Sequence, residues 1–431
     1  MTSVAGETYD TLVDEDIQTV YGLPPIRHRQ IDSAIAPSAR STPTRGALRR
    51  CIEPVETGEF LAETFERRPL HVPRNEEGKF DDLFSLADAE QLVSSGGLRY
   101  PAFRLAMEGM RIDPADYTIE LPGAPTSLPD VADSGKVLTA FDAGATIALQ
   151  GLQYTHPPLA RFCRSLEAEL THPVQANAYF TPPDAQGFGR HYDSHDVFSL
   201  QITGEKRWLV FEPSLELPLP SQARRPEAVT QGEPVLDVVL QPGDTLYLPR
   251  GWVHEVFTSE TLSLAVTIGV MAYTWVDDVQ AALAECAEEV EFRRSVPESG
   301  EMEDDLVAML AERLRPTEVE RRRREEFVRG RRPVLEGHLA EIRAVDDVTL
   351  TTPLERLPTV VADLYETTLA FEGKSVRFPE HLEDALGELV TREGPFVATD
   401  LPGLPDDESR LVLVRRLIRE GFLRRSGAAS A

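Results

Sequence analysis

Cysteine is nearly absent from this chain: Cys51, Cys163 and Cys286 are the only ones in 431 residues, far apart and odd in number. They supply neither a disulfide framework nor a zinc knuckle, and a reducing compartment suits them. Lysine is almost as scarce. Lys79, Lys136, Lys206 and Lys374 are the only four, so 40 of the 44 basic residues are arginine, a bias that makes any lysine near a site conspicuous. No apolar run is long enough to cross a bilayer, and the first residues lack the basic start and apolar core of a leader, so a cytoplasmic protein without a membrane partner is expected. Positive charge is in deficit: 44 Lys+Arg against 72 Asp+Glu leave a formal −28. That balance argues against a nucleic-acid surface as the main business of the protein and favours a basic polypeptide as partner.

What is present concentrates between Gly189 and His254. The stretch opens with Gly189-Arg190-His191-Tyr192-Asp193 and closes with Pro242-Gly243-Asp244-Thr245-Leu246-Tyr247-Leu248-Pro249-Arg250-Gly251-Trp252-Val253-His254. His191 and Asp193 stand two apart, the spacing that puts both side chains on one face of a strand. Pro242-Gly243-Asp244 is a turn, Thr245 to Pro249 a short strand, and Arg250-Gly251-Trp252 a bend that delivers His254 to another alternating strand. Two imidazoles and a carboxylate on one side of an ion, with the other positions open, are the donor set of non-haem Fe(II) oxygenases. His191, Asp193 and His254 are therefore the candidate metal ligands. His195 is assigned to the pocket rim, since a fourth protein ligand would leave no room for co-substrates. Such sites use 2-oxoglutarate and O2, and the far carboxylate of 2-oxoglutarate needs a cation at the pocket base. Lys206 is the candidate, with Arg207 the alternative should the register slip by one.

At this length two or three domains are expected. Residues 1–46 mix Pro, Ser, Thr and Arg after an acidic start and read as a flexible N-terminal arm. Residues 47–275 carry many short alternating strands punctuated by Gly and Pro, the pattern of a sandwich or barrel, here a double-stranded β-helix of cupin or jelly-roll type. Within it Val197 to Phe211 is expected to form a hairpin turning at Thr203-Gly204-Glu205. Residues 276–345 are helical by spacing. Their charged run Arg321-Arg322-Arg323-Arg324-Glu325-Glu326 reads as a solvated face, with pairing of two subunits as the other use for these helices. Residues 346–431 combine a short strand and helices in the manner of a winged helix. From Lys374 to Arg425 nine basic residues meet ten acidic ones, so the basic face that duplex binding needs is lacking. The class expected for the whole is α+β.

Three stretches carry a family resemblance: His191-Tyr192-Asp193 with Asp196-Val197-Phe198, then Leu200-Gln201 with Gly204, Lys206 and Trp208, then Pro242 to His254. Together they resemble the JmjC, cupin-4 type of ribosomal-protein hydroxylases. The resemblance implies Fe(II) on His191, Asp193 and His254, 2-oxoglutarate held by Lys206, helices that pair subunits into a homodimer, and a C-terminal winged helix. It further implies that Asn177 and Tyr179 face the substrate side chain. In this family an asparagine at the first of these positions goes with histidine substrates and an acidic residue with arginine. Gly269 stands where histidyl hydroxylases carry a serine that touches the substrate. The expectation is a 2-oxoglutarate-dependent dioxygenase that hydroxylates a protein or peptide side chain, with a histidine of a basic ribosomal protein in view. A small molecule or a biosynthetic peptide is the alternative substrate for the same chemistry, and lysine demethylation shares it. A cupin ligand sensor acting through a DNA-binding winged helix is the alternative of another class.

Overall fold

The computed structural model describes residues 18–21, 39–40, 46–95, 97–123, 126–222, 232–300 and 304–427. The chain divides into two compact units, residues 45–272 and residues 1–44 with 273–431.

Period-two patterning builds the first unit. Its strands here are β1 (Leu70–Val72), β2 (Phe103–Met107), β3 (Met110–Arg111), β4 (Thr146–Leu149), β5 (Val174–Thr181), β6 (Asp196–Thr203), β7 (Lys206–Phe211), β8 (Leu236–Leu240), β9 (Thr245–Leu248), β10 (Val253–Thr258) and β11 (Ser263–Val270). Eight of them form one antiparallel sheet in the order β1-β9-β6-β11-β5-β4-β2-β3, and three form a second, β8-β7-β10. On the larger sheet the even positions of β5, β6 and β11, such as Ala178, Leu200 and Ile268, are buried in the main core. Helix Pro157–Leu170 packs there through Leu159, Phe162, Leu166 and Leu170, one apolar stripe whose burial is worth roughly 1.5–3 kcal/mol per side chain. The odd positions leave from the opposite face of the sheet.

The expected hairpin from Val197 to Phe211 does not form. β6 pairs with β9 and β11, whereas β7 pairs with β8 and β10, and the chain passes from one sheet to the other at Gly204. There φ is +65°, and a Cβ would fall 1.8 Å from the Leu262 carbonyl oxygen. The turn signal was real, but it turns a corner between sheets. The strand argument for His191 and Asp193 needs a similar correction: both precede β6, and His191 joins His254 through an isolated antiparallel bridge.

In the second unit a five-stranded sheet runs in the order Gln18–Tyr21, Lys374–Arg377, Thr368–Phe371, Ala362–Tyr365, Ala39–Arg40. Two pieces of the arm expected to be flexible are thus edge strands; apart from Gly46, the rest of residues 1–46 lies outside the described residues. Leu354–Arg356 pairs with Leu423–Arg425. Helices Glu383–Thr391 and Asp407–Arg419 send Leu386, Leu389, Leu413 and Leu417 into one core with Phe371 and Val376. Helices Trp275–Cys286, Asp304–Arg313 and Pro316–Gly330 belong to the same unit. The mixed content is α+β, as expected. Among the described residues no helix is long and apolar enough to cross a membrane.

The arginine run is not a solvated face. Arg321 meets Glu285, Glu318 and Glu325, Arg322 meets Glu285, Arg323 meets Asp278, and Arg324 meets Asp363. Arg324 grips both oxygens of Asp363, 1% exposed, through three bonds of 2.7 to 3.0 Å. Arg324→Met removes the guanidinium that bonds that carboxylate and leaves it only the charge of its cross-strand neighbour Arg40; the variant is expected to destabilise the unit by about 3 kcal/mol, measured as a lower urea midpoint at unchanged m-value.

Candidate active site

Three ligand-type side chains converge at the bridge before β6. His191 N donates to the His254 carbonyl (3.0 Å) and His254 N to that of His191 (2.8 Å), so the two imidazoles stand side by side with centroids 4.4 Å apart. Nδ1 of His191 lies 2.7 Å from the Gly189 carbonyl, and Nδ1 of His254 lies 3.1 Å from the Trp252 carbonyl. A carbonyl only accepts, so Nδ1 carries a proton in both rings, and Nε2 is the nitrogen left to meet an ion. Asp193 Oδ2 sits 3.8 Å from His254 Nε2, and one ligand atom from each of the three residues lies within 4.8 Å of the others. Glycine makes the bend that brings them together: Gly251 N donates to the Asp193 carbonyl (2.9 Å), at φ +90°, where a Cβ would be 2.4 Å from the Leu215 carbonyl oxygen. Burial, reinforced by His191, pushes His254 down to about 4, so its imidazole is neutral near pH 7, the state a metal requires. Two imidazole nitrogens and a carboxylate at the wall of an open cavity fit a divalent transition metal with free positions.

That cavity has a volume of about 450 Å³. Strand register sets its walls. Asn177 on β5, Thr267 on β11 and Ser199 on β6 lie in one row, and all three line the cavity. Asn177 Oδ1 accepts from Gly151 N at 3.1 Å. The Tyr179 hydroxyl, which burial pushes up to about 12, bonds to the Thr267 side chain. Lys206 opens β7, 6% exposed, with Nζ 5.8 Å from the Tyr179 ring centroid. Burial alone drives it down to about 7, and among the described residues no carboxylate pairs with it. Arg207 instead points outward and holds Asp237 at 2.6 and 2.8 Å. Asp193 is the one carboxylate among the described residues lining the cavity, beside two cations, Arg104 and Lys206.

Residues 150–277 match the family model of the JmjC domain. The chain carries a JmjC domain. Ribosomal oxygenase 1 of Rattus norvegicus is 31% identical over 380 residues, 84% of this chain and 59% of that protein. Its Homo sapiens counterpart is 30% identical over 407 residues, 90% and 59%. The bifunctional lysine-specific demethylase and histidyl-hydroxylase NO66 of Drosophila persimilis is 32% identical over 223 residues, 51% and 31%. The chain thus spans 59% of the length of the two oxygenases. A solved structure of YcfD, a ribosomal oxygenase from Escherichia coli in complex with cobalt and 2-oxoglutarate, shares the fold: TM-score 0.51 at 18% identity, over 86% of this chain and 99% of that one.

Within the JmjC domain, Asn177, Tyr179 and Lys206 line the same cavity as the three candidate ligands. Gly269 is set apart from it. It lies opposite Gln175 and Val197 on β11, and the space its side chain would fill is held by His195. Sequence reasoning missed Arg104, Gln175 and Thr267, all on the cavity wall. Arg104 Nε is buried with no hydrogen-bond partner. These residues come from β2, β5 and β11; no spacing rule links them, and only the register of paired strands does.

Proposed function

We propose that the JmjC domain is a 2-oxoglutarate-dependent dioxygenase that hydroxylates a side chain of a protein or peptide, a histidine of a basic ribosomal protein being the first substrate to test. His191, Asp193 and His254 hold Fe(II) in this reading. Bound there with 2-oxoglutarate and O2, the metal supplies decarboxylation of the co-substrate to succinate and CO2 with insertion of one oxygen atom into a C–H bond. The chain's own part is positional. Two Nδ1–carbonyl bonds orient the imidazoles, and Lys206 receives the distal carboxylate. The observation that carries the reading is this buried lysine, unpaired by any described carboxylate, on the wall of the cavity that the triad also lines. A carboxylate beside it restores the proton that burial removes. Asn177 and Tyr179 are assigned to the substrate side chain, with Gly269 behind them. The names of the two mammalian relatives, ribosomal oxygenase 1, support the substrate class.

Lysine demethylation is the second reading, suggested by the name of the Drosophila relative. An ammonium group entering the cavity meets Arg104 and Lys206, and Asp193, the one lining carboxylate among the described residues, is assigned to the metal. Desolvating an unpaired cation there is costly, which favours a neutral side chain. A small molecule or biosynthetic peptide uses the same residues. The sensor reading draws little from a C-terminal segment with nine basic and ten acidic residues. We also propose that residues 346–431 act as a winged helix for protein contact, on the order helix His338–Arg343, strand Leu354–Arg356, helices Glu383–Thr391 and Asp407–Arg419, strand Leu423–Arg425. Val276, Val279 and Leu283, exposed along one face of Trp275–Cys286, support pairing of two copies. Three buried free cysteines suit the cytoplasm.

Ribosomal proteins from a deletion strain, incubated with the purified chain, Fe(II) and 2-oxoglutarate, are expected to show one protein gaining about 16 Da, one oxygen atom. Unchanged masses with 2-oxoglutarate still consumed would move the substrate to a small molecule.

A further inference from the structure

Gly269 and His195 are shaped to each other. A Cβ on Gly269 would lie 2.2 Å from His195 Cδ2, 2.6 Å from its Nε2 and 3.2 Å from Gln175 Cγ, so any side chain at position 269 expels the ring. The Cδ2–Nε2 edge of the imidazole therefore faces β11, and Nδ1, across the ring, is turned away from that strand. Gln175 Nε2 lies 3.1 Å from His195 Nε2. An amide nitrogen only donates, so His195 Nε2 accepts and the proton sits on Nδ1. Nδ1 has no hydrogen-bond partner among the described residues, and His195 lines the cavity. Asn177 presents the same chemistry. Its Oδ1 is engaged by Gly151 N, which leaves the Nδ2 donor for the cavity.

We propose that His195 is a specificity-determining residue, seated in the space that Gly269 leaves empty, and that its Nδ1–H, with Asn177 Nδ2, receives a neutral acceptor side chain: an imidazole or a carboxamide. This rests on the hydroxylase reading above. Lysine and arginine side chains carry donors and no acceptor, so against this wall they oppose donor to donor.

The test offers the full chain, with Fe(II) and 2-oxoglutarate, five peptides that differ only at a central His, Asn, Gln, Lys or Arg. Wild type is expected to oxidise the His peptide or an amide peptide about tenfold faster, or more, than the Lys and Arg peptides. His195→Ala lowers kcat/KM for the favoured peptide about tenfold without raising the KM for 2-oxoglutarate, and His195→Asn, which keeps a donor, recovers part of the loss. Gly269→Ala reproduces the loss, and the double variant His195→Ala/Gly269→Ala is no worse than either single one, because the same contact is already gone. Equal oxidation of a Lys or Arg peptide, an effect of His195→Ala confined to the KM for 2-oxoglutarate, or oxidation of none of the five while 2-oxoglutarate is consumed overturns this inference and leaves the oxygenase assignment standing. A wild-type chain that consumes no 2-oxoglutarate with Fe(II) overturns both.

Discussion

His191→Ala is expected to lower 2-oxoglutarate turnover about a thousandfold or more, equivalent to roughly 4 kcal/mol of lost transition-state stabilisation. The reason is local. The variant removes one of three proposed ligand atoms, yet the bridge between positions 191 and 254 is made by backbone groups at 2.8 and 3.0 Å, which alanine keeps. Unfolding is therefore expected to shift little while bound metal and turnover fall together. The same holds for His254→Ala, with a larger effect on stability, because His254 is buried against Trp208, 5.5 Å between ring centroids. Turnover at the wild-type rate in His191→Ala would end the metal assignment.

Lys206→Ala is expected to raise the KM for 2-oxoglutarate about a hundredfold, the loss of one buried charge-assisted bond. A pH dependence accompanies it. In the folded chain without ligand, burial holds Lys206 at about 7, against 10.5 for the free side chain. Between those values the unfolded chain binds more protons than the folded one. Lys206 therefore adds stability as pH rises from 7 towards 10.5 and withdraws it as pH falls back through 7. Binding runs the other way. The carboxylate needs the charged amine, so above pH 7 each 2-oxoglutarate takes up about one proton, and affinity weakens towards tenfold per pH unit. Lys206→Arg stays charged throughout and is expected to flatten that slope in KM measurements from about pH 6.5 to about 8.5. A KM that Lys206→Ala leaves unaltered would shift the anchor to Arg104, the other cation on the wall.

Particular residues show why some of this was legible and some was not. The alternation of β5 is legible in Gln175 to Thr181 because one face is apolar, as at Ala176 and Ala178, and period two survives without knowledge of any partner strand. Val197 to Phe211 misled because a Gly-centred turn between two alternating runs signals a reversal, not which strands lie beside it; the Leu262 carbonyl, far along the chain, closes the corner at Gly204. The run Arg321 to Arg324 misled for a related reason. Its charges looked solvated until Asp278, Glu285 and Asp363 were brought to them from other elements.

The active-site stretch shows where the division falls. Sequence by itself determined the ligand types, the turn and bend that deliver His254, and the lysine two positions after Gly204, because these are local: a residue's chemistry, a glycine's φ and a strand's period do not depend on distant chain. Tertiary structure alone decided that Lys206 is buried while Arg207 is paired outside, and that His195 occupies the space at Gly269. Those outcomes depend on which carbonyl, carboxylate or cavity ends up beside a side chain. That is set by the registers of β5, β6, β7, β10 and β11, and by nothing within a few residues of the site.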